Sequence, residues 1–192
     1  MSYHIYTTSG IILKRTPFGE ANILLHILTE DLGLIMASAR SARLFVSKLR
    51  PALQEFTLAS VSCIKGKGGW KITNVVYLDS FYFDYPLHTH KVMSQIVNVL
   101  MKMIQGETPH KEIFEIVKNG LVFLKNVREE MVSDFETLIV LRILSQLGYV
   151  VSDDSTFIFL NNEWNEDLLI KININKKNIV AVINKALKES QL

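Results

Sequence analysis

The chain has 192 residues, of which 48% are hydrophobic and 21% charged, a composition typical of a globular protein of one or two domains. Its single cysteine excludes a disulfide framework, and it shows neither a signal peptide nor an apolar run long enough to span a membrane. Residues 1–80 hold nine Lys and Arg against five Asp and Glu, net +4, and residues 81–192 hold twelve against fourteen, net −2. We therefore expect a cytoplasmic protein whose first part binds a polyanion.

The first part of the chain is predicted to form five short strands. Apolar or alternating segments occur at residues 10–15, 21–29, 33–37, 56–65 and 70–81, with glycine-containing turns between them. Short strands at this spacing predict a small antiparallel barrel. An OB-fold is the leading candidate, and OB-folds bind oligonucleotides or oligosaccharides across one face.

A basic loop follows the third predicted strand. Arg40, Arg43, Lys48 and Arg50 lie in this loop, and no acidic residue follows them before Glu55. Clustered cations on a loop are typical of phosphate binding, and a solvated charged loop is the alternative.

A glycine-rich turn joins the last two predicted strands. Residues 65–69 read Lys-Gly-Lys-Gly-Gly, without the Gly-Lys-Ser/Thr of a P-loop, so a hairpin tip is predicted. Together with Lys71, this tip adds three positive charges. Tip and basic loop could lie along one groove if the barrel brings them together.

Several short motifs of the first part resemble a known family. They are Gly10-Ile-Ile-Leu-Lys, Phe18-Gly-Glu-Ala, Leu28-Thr-Glu-Asp-Leu-Gly, Ala39-Arg, Ser47-Lys-Leu-Arg, Leu53-Gln-Glu-Phe-Thr, Gly66-Lys-Gly and Leu78-Asp-Ser. In order and spacing they resemble the amino-terminal domain of the RecO family over roughly residues 3–82. This resemblance implies an OB-fold that binds DNA.

The second part is predicted to be helical. Apolar residues recur every three or four positions over 85–105, which predicts a first helix. Thr108-Pro109 predicts the start of a second helix. A third helix is predicted to begin at the capping box Ser133-Asp-Phe-Glu136 and to end at Gly148. Three methionines could line a partner groove, although core packing is the favoured interpretation. They are Met93, Met101 and Met103.

The carboxy-terminal third departs from the common family pattern. Residues 135–149 are similar to the helical domain of RecO proteins, many of which carry a four-cysteine zinc module after this helix. This chain lacks those cysteines, so it resembles short, zinc-less members, and we expect a metal-independent fold. Residues 156–174 could form a short hairpin, and residues 176–189 are predicted to be a terminal helix. The predicted fold class is α+β, with an OB-fold barrel at 1–82 and a helical domain at 83–192.

No catalytic constellation is evident in the sequence. His88 and His90 are too few for a zinc site, Cys63 lies in an alternating strand as an inert, buried thiol, and the adjacent acidic pairs Glu129-Glu130 and Asp153-Asp154 fit solvated turns. We therefore expect a protein that is not an enzyme and needs no cofactor.

The family resemblance implies a mediator of recombinational DNA repair. Such a protein anneals complementary strands and assists recombinase loading on DNA coated by single-strand-binding protein. Implied partners are single- and double-stranded DNA, the mediator RecR and the acidic tail of single-strand-binding protein, met at the bacterial nucleoid, with no membrane partner. An adaptor with little DNA binding is the alternative, and a nuclease is a second one.

Specific residues are predicted for these contacts. The DNA-binding candidates are Lys14, Arg15, Arg40, Arg43, Phe45, Lys48, Arg50, Lys65, Lys67 and Lys71. Phe45 and Trp70 could stack on bases, with packing against the barrel as the alternative and the favoured one for Trp70. Arg142, a charge in an apolar helix, is the candidate for the partner's acidic tail, and a surface arginine is the alternative and the favoured one.

Overall fold

A computed structural model describes residues 4–44, 47, 49–83, 85–151 and 156–190. The chain divides into two compact units, one of residues 1–84 with 105–114 and one of residues 85–104 with 115–192. The first unit is a five-stranded barrel and the second is helical, which confirms the predicted α+β class. Residues 105–114, assigned above to the helical domain, pack with the barrel.

The strands of the barrel close in the order β1-β2-β3-β5-β4. They are β1 (Ile5–Phe18), β2 (Asn22–Thr29), β3 (Gly33–Ala39), β4 (Thr57–Gly66) and β5 (Gly69–Ser80). The long strand β1 pairs with β4 through its first half and with β2 through its second half. Only β3 and β5 run parallel, with Ala37 beside Trp70. This arrangement is the barrel that the strand pattern predicted.

The barrel core follows from alternation along the strands. In β4, Thr57, Ala59, Val61 and Cys63 are buried while their neighbours are partly exposed. Burial raises the pKa of the Cys63 thiol to about 11, so the thiol is neutral at pH 7, as predicted for a buried and unreactive cysteine. Trp70 is also buried in this core, which confirms packing as its role.

Residues 105–114 are joined to the barrel by charge and by close packing. Lys65 pairs with Glu107, and Lys111 pairs with Asp31 at 2.9 Å. Gly33 has a φ of 74° and lies so close to residues 107–108 that a Cβ would overlap the Thr108 carbonyl group. Only glycine fits this position without strain.

The second unit is built around one buried helix. Its helices are α1 (Leu87–Met103), α2 (Lys111–Leu124, of which 111–114 belong to the barrel unit), α3 (Val132–Gln146), α4 (Phe157–Asn161) and α5 (Glu166–Glu189). From Thr137 to Leu144 every residue of α3 is buried. Met93 and Met103 are buried and Met101 is partly buried, which confirms core packing. None of the described helices combines the length and apolar character needed to cross a bilayer.

The start of α3 differs from the prediction. The capping box is wrong, because Ser133 already lies inside the helix, where its carbonyl oxygen accepts from the Thr137 hydroxyl at 2.9 Å. Asp134 is buried and instead accepts from the Lys176 ammonium at 2.7 Å and from Asn173 at 3.0 Å. The carboxy-terminal cap is confirmed: Gly148 has a φ of 84° and its amide donates to the Ser145 carbonyl.

The hairpin considered at residues 156–174 is wrong. The segment forms α4, a short loop and the start of α5. Asn165 caps α5 by accepting from the Leu168 amide at 2.8 Å. Leu168, Leu169 and Ile172 are buried together because their spacing places them on one helical face, which a strand would split between two faces.

Candidate nucleic-acid interface

A groove of about 470 Å³ opens on the barrel where its loops converge, and we call it the aromatic–arginine groove. It is lined by Arg15, Pro17, Ile23, Arg43, Gln54, Glu55, Tyr82 and Phe83. These residues come from β1, from β2, from the loops on either side of the short helical turn Pro51–Leu53, and from the segment after β5. The groove therefore combines two cations with two aromatic rings.

Both arginines are held by hydrogen bonds to the chain around them. Arg15 donates from its guanidinium to the Gln54 side chain at 3.3 Å, and its amide donates to the Glu55 carboxylate at 2.8 Å. Arg43 donates to the Gly19 carbonyl at 3.1 Å, while its amide donates to the Ala21 carbonyl at 2.9 Å. The two guanidinium bonds orient the side chains at the groove wall, which lowers the entropy lost when a ligand binds.

The aromatic wall rests on a strained residue. Phe56 has a φ of 60°, a conformation that bulky side chains rarely adopt. It is held there because its amide donates to the Ile12 carbonyl at 2.7 Å and its carbonyl accepts from the Phe81 amide at 2.9 Å. The Phe56 ring stacks on Tyr82 with centroids 6.1 Å apart, and Tyr82 meets Phe83 edge to face at 5.7 Å. Such strain is often found at functional sites.

Other predicted cations lie on the barrel outside the groove. Arg40 follows β3, Arg50 precedes the helical turn, Lys67 is at the β4–β5 hairpin tip, and all three are exposed. Lys71 lies half-buried on β5 beside Ser38. Lys67 and Lys71 thus belong to the β4–β5 hairpin and do not line the groove.

Two predicted cations, Lys65 and Lys14, lie beside other ionisable groups of the barrel. Lys65 pairs with Glu107 and lies 5.3 Å from the centroid of the Trp70 ring. The Lys65 ammonium, with the Trp70 side chain contributing less, lowers the pKa of Glu107, so this carboxylate stays charged and neutralises Lys65. Lys14 is exposed opposite His26, whose pKa is lowered by burial and then by the charge of Lys14. Lys14 and Lys65 are both exposed, and Lys65 is engaged in an ion pair that a phosphate would have to replace.

The remaining predicted residues give a mixed result. Phe45 and Lys48 lie outside the described residues. Arg142 is only 5% exposed, so the surface arginine considered for this position is wrong. Its guanidinium donates to the carbonyl oxygens of Phe159 and Asn162 and stacks on Trp164. A contact between Arg142 and an acidic peptide stays a prediction, and the geometry favours a role in anchoring the segment around α4.

The aromatic wall was not among the predicted site residues. Tyr82 and Phe83 belong to the run Phe81-Tyr-Phe directly after β5, and an exposed aromatic run at a strand end is a signal of a binding surface. Gln54 and Glu55 were missed because their contribution depends on the bonds to Arg15. In the part of the chain that the structure describes, no group of three or more His, Cys, Asp or Glu could hold a metal ion.

Comparison with known proteins gives one consistent family. Residues 1–81 match the family described as "Recombination protein O N terminal". The chain is 29% identical over 150 residues to the DNA repair protein RecO of Thermodesulfovibrio yellowstonii, covering 76% of this chain and 58% of that protein. It is 30% identical over 127 residues to the RecO of Dehalococcoides mccartyi, covering 66% of this chain and 50% of that protein.

The chain spans about half the length of these curated relatives, 58% and 50%. The matched residues 1–81 contain all five strands of the barrel and the whole aromatic–arginine groove except Tyr82 and Phe83. By this match and the barrel that carries it, residues 1–81 belong to the RecO amino-terminal family, and the chain is similar to RecO proteins over about two thirds to three quarters of its length.

Proposed function

We propose that the chain binds DNA through its barrel and acts in recombinational DNA repair. The observation that carries this proposal is the aromatic–arginine groove, where Arg15 and Arg43 are held beside exposed aromatic rings. Exposed cations around it extend a positive surface along which phosphates bind without regard to sequence. This property suits a protein that anneals any pair of complementary strands.

From the family resemblance we further propose three roles. The chain assists recombinase loading on DNA coated by single-strand-binding protein, contacts RecR, and binds the acidic tail of single-strand-binding protein. It acts at the bacterial nucleoid and does not cleave DNA. Incubation with labelled DNA and Mg²⁺ tests the last point, since shortened products would indicate a nuclease. A labelled tail peptide tests the tail contact by fluorescence anisotropy, and no change at high protein concentration would contradict it.

Salt dependence tests DNA binding itself. About 4 to 6 phosphate contacts on a single strand give a slope of log affinity against log salt of roughly −3 to −4. Single-stranded and duplex ligands of equal length are measured side by side. Undetectable or salt-insensitive binding would favour the adaptor alternative.

A quadruple variant tests the basic loop. Replacing Arg40, Arg43, Lys48 and Arg50 together with Ala is expected to abolish annealing and leave the melting temperature nearly unchanged, since surface charges contribute little to stability. The matched control removes the same charge from the helical unit by replacing four exposed lysines with Ala. They are Lys102, Lys171, Lys177 and Lys188. Annealing at the parent rate by the folded loop variant would remove the loop from the mechanism.

A further inference from the structure

We propose that the aromatic–arginine groove binds one unpaired nucleobase, with Phe83 as its stacking platform. This subsite rests on the DNA binding proposed above and adds a preference for single strands. Phosphate contacts alone cannot give that preference, because both kinds of DNA present phosphates. The preference requires a contact that only an unstacked base can make.

The platform is exposed in a way that a stable fold does not require. Phe83 is 74% exposed and the adjacent Tyr82 is 41% exposed. The Tyr82 and Phe83 rings meet edge to face. The Tyr82 ring also stacks on the Phe56 ring, and the planes of these two rings differ by 6°. The wall therefore presents apolar surface to water until a flat ligand covers it. Every base has such a flat face, so this contact tolerates any sequence.

The opposite side of the groove provides polar groups for the rest of a nucleotide. Arg15 and Arg43 supply positive charge for the phosphate on either side of the bound base. Gln54 and Glu55 supply oxygen atoms near Arg15. The volume of about 470 Å³ falls in the range of about 300–1,000 Å³ that small-molecule sites occupy.

A base inside a duplex cannot use this platform. Its faces are covered by neighbouring pairs, and leaving the stack costs the energy of unstacking and unpairing. An unpaired base has lost part of that stacking already. Binding in the groove therefore favours the single strand and also holds its bases apart from their neighbours.

The test replaces the platform and keeps the charges. Phe83→Leu is expected to weaken binding of a single strand about tenfold and binding of a duplex by less than about twofold, since stacking on one aromatic ring is lost. Phe83→Trp keeps an aromatic face and is expected to bind as the parent does. Tyr77→Leu is the matched control, because Tyr77 is 51% exposed on β5 and does not line the groove. The salt slope stays the same in all three variants, because no phosphate contact is lost.

A spectroscopic measurement reports the stacking directly and needs no variant. A single strand with several 2-aminopurines is expected to change fluorescence on binding the parent protein, because the reporter base moves from its neighbours onto Phe83. Unchanged fluorescence of the bound strand would overturn the subsite, as would a Phe83→Leu variant that keeps the parent affinity or loses it equally for single strand and duplex. If either contradicting result occurs while the parent protein still binds DNA with the expected salt slope, only the subsite is overturned. The proposed function is then unaffected. Parent protein that binds no DNA overturns both.

Discussion

The Arg142 guanidinium lies over the Trp164 ring in the helical unit, with the guanidinium carbon 4.2 Å from the ring centroid. The same guanidinium donates from Nε to the Phe159 carbonyl at 2.7 Å. Burial lowers the pKa of Arg142 to about 10, which still leaves it protonated at neutral pH. A buried cation therefore ties α3 to α4 and to the loop that precedes α5.

Arg142→Lys is expected to lower the free energy of unfolding by about 2–3 kcal/mol, because lysine cannot reproduce the planar fork or the stacking. Urea unfolding followed by circular dichroism measures the change. Arg128→Lys is the control, since Arg128 is exposed and its ion pairs with Glu130 and Glu166 contribute less than about 1 kcal/mol. Equal effects of the two substitutions would contradict an anchoring role for Arg142.

Gly33→Ala is expected to destabilise the barrel by at least about 2 kcal/mol. The added Cβ would overlap the Thr108 carbonyl group, and the φ of 74° is unfavourable for alanine. Gly66→Ala provides the comparison, because nothing lies within 4 Å of its Cβ position. Thermal melting of both variants measures the difference, and a Gly33→Ala protein as stable as the Gly66→Ala protein would refute this packing.

Cys63 is expected to make stability fall at high pH. Burial raises its pKa from 9.0 to about 11 in the folded protein, so the folded state favours the neutral thiol. The neutral thiol's contribution to the free energy of unfolding is complete below the unfolded pKa of 9.0 and is lost as the pH rises through about 11. Between pH 8 and 10 the parent should lose about 1 kcal/mol more than Cys63→Ala. A parallel decline of the two proteins would show that this thiol does not titrate as described.

Glu107→Gln is expected to strengthen DNA binding about two- to threefold at low salt, because it releases Lys65 from its ion pair. The slope of log affinity against log salt should become more negative by about 0.7, the contribution of one phosphate contact on a single strand. Glu189→Gln removes the same charge from α5 in the helical unit and should leave binding unchanged. The result is contradicted if both variants bind more tightly, since a general change in net charge would then explain it.

The sequence predicted those parts of the fold whose signals are local. Alternation from Thr57 to Cys63 and the turn glycines were enough for the barrel, and Gly148 marked the end of α3. The start of α3 was wrong because Ser133 and Glu136 have capping-box spacing, yet the helix already begins at Val132 without a side-chain cap. Asp134 is instead buried in an ion pair with Lys176, a contact that spacing along the chain does not reveal.

The groove could not be predicted because it is assembled from five separate parts of the chain. Arg15 and Tyr82 are 67 positions apart in the sequence and line the same groove. Periodicity and composition report on neighbours along the chain, and they contain no information on which loops a closed barrel brings together. The cations were found because charge is visible at any position, whereas the exposure of Phe83 depends on the fold.

The contact of Gly33 with residues 107–108 affects the order in which the protein can fold during synthesis. The last strand of the barrel ends at Ser80, but the segment that completes its packing, residues 105–114, emerges from the ribosome later. At about 5–20 residues per second this delay is on the order of a few seconds. A nascent barrel therefore spends that time with the surface around Gly33 uncovered, although α1 is already available to fold. A fragment ending at residue 82 would keep this surface uncovered permanently.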